Sequence, residues 1–196
     1  PTLITPKFWK FSKKHIHVHN KDMKANTHLI VMAGLPCSGK RTVARGISQN
    51  LGYAILSIDP IEASMWRSSI SKEETGIAAY NIAHAIAKEN LIDGTSVIID
   101  AVNPVKESRD MWLNLQKETN ATLTFIECVC SARDVHKERV EKRIRNIKGM
   151  NEITWERVEQ RRAEYEAWNI EHHTIETSDK EPSAIVKIAL EIISDK

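Results

Sequence analysis

The chain has 196 residues, 41% of them apolar, and a formal charge of only +2. That length fits one domain with an appended segment, and the apolar content is enough for a substantial core. The near-balance excludes recognition of nucleic acid through overall charge alone. Charge is uneven, however: residues 1–28 hold six lysines and one aspartate, against 22 basic and 25 acidic residues in the remainder.

Residues 1–27 form a basic N-terminal arm with no sustained hydrophobic period. Phe8, Trp9 and Phe11 sit among its lysines, and His15, His17 and His19 alternate. An extended chain places those histidines on one side, which suits either a metal or a solvated strand. From residue 29 the pattern switches. A strand over 29–33 leads through a glycine-containing loop into a helix over 40–51, stopped near Gly52. Strand 53–58, a short helix 61–67 and a longer helix 75–92 follow. The last carries Ile77, Tyr80, Ala83, Ala87 and Leu91 at helical spacing. The apolar strand 96–99 ends at Asp100. Helix 104–119, strand 121–130, a highly charged helix 132–147, helix 151–168, strand 174–176 and a closing helix 182–193 complete the chain. Five strands alternating with helices predict an α/β fold with a parallel sheet covered on both faces.

Cys37, Cys128 and Cys130 are the three cysteines. Strand neighbours two apart make poor disulfide partners, so the chain reads as a reduced, cytoplasmic protein. Its apolar runs fall short of a membrane span, and its first residues lack a signal-peptide core, so no membrane partner is expected.

The run Gly34-Leu35-Pro36-Cys37-Ser38-Gly39-Lys40-Arg41-Thr42 carries the most information. Between a strand and a helix, this pattern is a phosphate-binding loop: backbone N–H groups cradle phosphate oxygens and Lys40 reaches the outer phosphates. The position after the lysine normally supplies a hydroxyl to Mg²⁺, and here it is Arg41. Thr42 is turned roughly 100° away on the helix and does not simply replace that hydroxyl. Either Mg²⁺ is held through other oxygens and water, or metal use is weakened.

Ligands of an open parallel sheet bind beyond the carboxyl ends of its strands. Asp59, ending the second strand, is placed to accept the proton of an acceptor hydroxyl. It is equally placed to cap a helix opening at Pro60. Asp100 follows Val97-Ile98-Ile99 as a Walker-B-type acid would. It could hold Mg²⁺ through water, contact the acceptor, or cap a loop. Arg139 and Arg143, four apart on a helix, suit a lid that clamps phosphates; the other basic residues of 131–149 read as an ordinary solvated helix.

Across roughly residues 29–177, these motifs taken in order resemble the small P-loop predicted kinases akin to zeta-toxin-type, chloramphenicol-phosphotransferase-type and polynucleotide kinases. The matching pieces are the Gly34–Lys40 loop, Ser57-Ile58-Asp59, and Asp100-Ala101-Val102-Asn103 with Arg109 and Trp112. Glu127-Cys128-Val129-Cys130-Ser131 leads into Arg139 and Arg143, and Trp155 through Tyr165 to Trp168 follows. The resemblance implies a three-layer P-loop NTPase sandwich with strand order 2-3-1-4-5 and a helical lid. It implies ATP as donor with Mg²⁺, Lys40 on the β- and γ-phosphates, Asp59 as base, and Arg139 or Arg143 acting from the lid. Asp100 with Asn103 is similar to the acceptor-side motif of 5′-hydroxyl polynucleotide kinases. Glu62 departs from the arginine that relatives often carry three residues after the base. Three functions follow: a kinase for a small-molecule hydroxyl, a 5′-hydroxyl polynucleotide kinase, and a nucleotide-binding pseudokinase suggested by Arg41 and Glu62.

Overall fold

The computed structural model describes residues 26–195. The aromatic and histidine positions of the basic arm therefore lie outside the described residues. Of that segment, Thr27 accepts a backbone hydrogen bond from Thr122 (2.8 Å).

Strand β1 (His28–Ala33) is almost wholly buried. Its apolar residues are consecutive because each face of the sheet is covered: Leu29 and Val31 enter one core, Ile30 and Met32 the other. Helix α1 (Lys40–Leu51) ends at Gly52, whose φ of 74° supplies a left-handed cap. Then come β2 (Ala54–Ser57), α2 (Ile58–Arg67), α3 (Lys72–Ile92), β3 (Val97–Asp100), α4 (Lys106–Thr119) and β4 (Thr122–Val129). The chain closes with α5 (Arg133–Lys142), α6 (Trp155–Ala163), β5 (His173–Glu176) and α7 (Pro182–Ser194). The sheet is parallel with order β2-β3-β1-β4-β5, as the resemblance implied.

Helices α1 and α7 cover the face carrying Ile30, Met32, Ile98 and Ile126. Their axes approach closely at Gly46, where an added Cβ would lie 2.3 Å from Val186 Cγ2. Helices α3 and α4 cover the other face through Ala79, Ala83, Ala87, Trp112 and Leu115. The alanines let the 21-residue α3 lie close to the strands.

Several element ends differ from the sequence reading for local reasons. Strand β2 stops at Ser57 because its partner β3 ends opposite it at Asp100. The chain turns there directly into α2, so Ile58 and Asp59 are helical. The helix expected over 132–147 stops at Lys142. Arg143 is extended (φ −74°, ψ 130°), and Asn146 and Gly149 take positive φ. The helix expected over 151–168 occupies only Trp155–Ala163. Thr154 caps its start by accepting from Arg157 N (3.3 Å). Beyond its end the chain folds inward, and the buried Arg109 donates to the carbonyls of Glu166 (2.9 Å) and Ala167 (3.0 Å).

Candidate active site

The loop from Gly34 to Gly39 leaves β1 at the carboxyl edge of the sheet. Gly34 is required by space as well as by its φ of 121°: a Cβ there would sit 2.2 Å from the Cys128 carbonyl oxygen. Cys37 is left-handed too (φ 64°), and Gly39 (φ 103°) opens α1. Of these three only Cys37 is strained, at a cost on the order of 1 kcal/mol. Lys40 Nζ lies inside the loop, donating to the carbonyls of Gly34 (2.8 Å) and Leu35 (2.7 Å). Burial pulls its pKa down, opposed chiefly by Asp100, then by Cys128 and Asp59.

The loop floors a cavity of about 1100 Å³. Eleven basic and five acidic side chains line it, in a chain whose total charge is +2, so the charge is concentrated where an anion would bind. Lys40, Arg41, Thr42, Asp59, Asp100, Arg139 and Arg143 all face this space. These expected residues come from α1, α2, β3 and the segment after β4. Their meeting follows from the strand order, which places β3 and β4 on either side of β1.

Asp59 sits in the first turn of α2, while Ser57 holds the cap position. The Asp59 side chain is half exposed and accepts from Arg145 Nη1 at 3.0 Å. Arg145 is otherwise spent on Glu152 and on the carbonyl of Asn151. Asp100 accepts from the Ser57 hydroxyl (3.1 Å). Arg139 donates to the Thr177 hydroxyl (2.9 Å), which in turn donates to the Ser38 carbonyl (2.9 Å). Arg143 is no longer on a helical face with Arg139; as the residue after α5 it reaches the Cys37 sulfur at 3.5 Å. Glu62 accepts from Thr75 Oγ1 (3.1 Å), and that oxygen accepts from the Trp66 indole (2.7 Å).

Asn103 does not join them. It is fully buried and does not line the cavity. Its Nδ2 donates to the Met32 carbonyl (2.7 Å), its Oδ1 accepts from Trp112 Nε1 (2.9 Å), and its φ is 48°. Arg109, 1% exposed, donates to the Asn103 carbonyl (3.1 Å) and stacks 4.0 Å over Trp168. The Asn103, Arg109, Trp112 and Trp168 positions of the resemblance thus form one internal brace, and the Asn103 expected on the acceptor side is bonded within it rather than lining the cavity.

Four positions escaped the sequence reading. Arg145 had been grouped with the solvated basic residues, yet its side chain is only 10% exposed. His136 is buried between α5 and α6, with Nε2 2.7 Å from the Pro36 carbonyl and Nδ1 3.2 Å from Arg162. The carbonyl only accepts, which assigns the proton to Nε2 and leaves Nδ1 to accept from Arg162. Burial lowers the His136 pKa, only partly countered by the Pro36 bond. Thr177 ties the loop to Arg139. Glu176 fixes the turn after β5: burial would raise its pKa, but bonds from Ser178 and Ser131 outweigh this and bring it to about 2.

The residues present fit Mg²⁺ poorly. A guanidinium occupies the position of the metal-binding hydroxyl, Asp59 is paired with Arg145, and Asp100 takes the Ser57 hydroxyl. Among the described residues, no group of three or more His, Cys, Asp or Glu side chains could hold a metal. Also among the described residues, no helix is long and apolar enough to cross a membrane.

Comparison with known proteins bears on the family and the fold. The chain is 30% identical over 124 residues to the bifunctional polynucleotide phosphatase/kinase of Schizosaccharomyces pombe, covering 60% of this chain and 26% of that protein. It is 28% identical over 179 residues to the L-seryl-tRNA(Sec) kinase of Methanococcus maripaludis, covering 86% and 67%. The chain thus spans about a quarter of the first relative and two thirds of the second. A candidate kinase from Chloroflexus aurantiacus shares the fold, with a TM-score of 0.69 at 23% identity over 87% of this chain and 98% of that one. A family model described as an AAA domain matches residues 29–168. With that match spanning most of the chain, the loop, the strand order and the kinase relatives lead to one statement: the chain belongs to this AAA-domain family of P-loop kinases.

Proposed function

We propose that the protein is an ATP-dependent phosphotransferase that moves the γ-phosphate to a hydroxyl group of a small molecule. One observation carries this reading: the carboxylate of Asp59 faces the same cavity as the phosphate loop and Lys40, with Arg139 and Arg143 along its wall. In this reading the loop and Lys40 hold the phosphates, and the two arginines neutralise charge on the transferring group. Asp59 takes the hydroxyl proton as the new P–O bond forms and the bond to the ADP oxygen breaks. Asp100, braced by Ser57, contacts the acceptor.

Asp59→Asn tests the assignment. Transfer is expected to fall at least about 100-fold while ATP affinity stays within about twofold, since the carboxylate acts on the acceptor. Equal transfer rates would remove Asp59 from the chemistry.

A second acceptor class has its own support. The two relatives described above are named for a polynucleotide and for seryl-tRNA, and the cavity lining is strongly basic. An acceptor panel should therefore set sugars and other polyols beside short 5′-hydroxyl oligonucleotides and serine-charged tRNA. Transfer confined to the nucleic acids, with rates that fall steeply with salt, would favour this class over the first.

A further inference from the structure

We propose that the nucleotide site takes the nucleoside triphosphate as its metal-free anion, with Arg41 supplying the charge that Mg²⁺ would otherwise bring. This rests on the nucleotide-binding part of the function proposed above. The cations around the cavity are not equivalent. Arg139 is bound to Thr177, Arg145 to Asp59 and Glu152, and Lys40 to two loop carbonyls. Arg41 and Arg45 line the same cavity and, among the described residues, have no hydrogen-bond or ion-pair partner. They are four apart on α1, so both lie on one helical face, about 6 Å along the axis from each other.

Arg41 is partly buried, immediately after the phosphate-loop lysine at the start of α1. The helix N-terminus already favours an anion there. A guanidinium donates to phosphate in a bidentate manner and carries no lone pair for a metal. A divalent cation brought in on the triphosphate would share this cavity with the guanidinium charge, and repulsion opposes its coordination. In the free protein one oxygen of Asp100 takes the Ser57 hydroxyl. The site therefore favours the more highly charged free triphosphate over its Mg²⁺ complex.

Calorimetric titration of ATP in EDTA and in excess MgCl₂ tests this, on wild type, Arg41→Ser and Arg41→Lys. Wild type is expected to bind at least as tightly in EDTA as in Mg²⁺. Arg41→Ser should lose about tenfold or more in EDTA and recover affinity when Mg²⁺ is added. Arg41→Lys should stay close to wild type in EDTA, which separates loss of charge from damage to the helix. Wild-type binding strengthened tenfold by Mg²⁺, or an Arg41→Ser protein equal to wild type in EDTA, would overturn the inference while leaving the kinase reading intact. Absence of ATP binding in either buffer would overturn both. Metal-indifferent binding without transfer to any acceptor, in either buffer, would overturn the kinase reading alone.

Discussion

Replacing Asn103 by alanine separates the internal brace from an acceptor contact. The change removes a donor to the Met32 carbonyl at 2.7 Å and an acceptor for the Trp112 indole at 2.9 Å, both in the interior. Each group left without a partner costs about 1–3 kcal/mol. Alanine at a φ of 48° adds about 1 kcal/mol, since its Cβ meets the following carbonyl where asparagine bonds locally. The expected loss is about 3–7 kcal/mol, toward the lower end if water enters and satisfies one of the two groups. For a chain of this size each kcal/mol lowers Tm by about 2–4 °C, so Tm should fall by about 6–28 °C. Nucleotide affinity, measured by titration well below the new Tm, should be retained. A protein with unchanged Tm but impaired transfer would refute this reasoning and return Asn103 to the acceptor site.

Gly46→Ala should lower stability by about 1–3 kcal/mol, because its Cβ would meet Val186 at 2.3 Å; adding Val186→Ala should recover most of the loss in thermal melts. Lys40→Ala should weaken ATP binding at least about tenfold with little loss of Tm, since the ammonium is buried against carbonyls in the free protein; a large fall in Tm would make Lys40 structural. His136 sets a pH dependence with a definite sign. Its folded pKa lies below 6.5, so between 6.5 and that lower value the unfolded chain binds more protons, and stability falls as pH is lowered through this window. Denaturant melts of wild type and His136→Gln between pH 5 and 7.5 should differ in slope only below about 6.5; parallel profiles would show that His136 titrates normally.

Much of the architecture could be read from the chain because its signals are local. The consecutive apolar residues of β1, the glycines of the loop and the Asp100 strand end need no partner to be recognised. The order of the strands came from resemblance, since pairing between distant segments leaves no local mark. The errors fall where tertiary contacts override helical pattern. Residues 143–147 continue the charged helical pattern, but Arg145 turns inward to Asp59, and the backbone unwinds at Arg143 to allow it. Residues after Ala163 leave the helix so that Arg109 can hold the carbonyls of Glu166 and Ala167. Nothing in the spacing of Arg145, His136 or Thr177 distinguishes them from surface residues. Their roles depend on partners 86, 100 and 139 positions away.

The pairing of Asp59 with Arg145 also bears on how the site would be ordered. Asp59 comes from the first turn of α2, and Arg145 from the segment that joins α5 to α6. That segment is held by few apolar contacts: Cys37, Val140 and Val158 form a small cluster apart from the two main cores. Its polar ties to other elements include Arg145 to the half-exposed Asp59, Arg67 to the Lys148 carbonyl and Arg143 to the Cys37 sulfur. Such bonds contribute little each and exchange readily for bonds to a better anion. A triphosphate entering beside Lys40 is that anion. Drawing Arg145 toward phosphate would free the Asp59 carboxylate at the moment the donor is in place. With Asp59 as the base proposed above, loss of this contact on nucleotide binding would leave its carboxylate unpaired on the cavity wall.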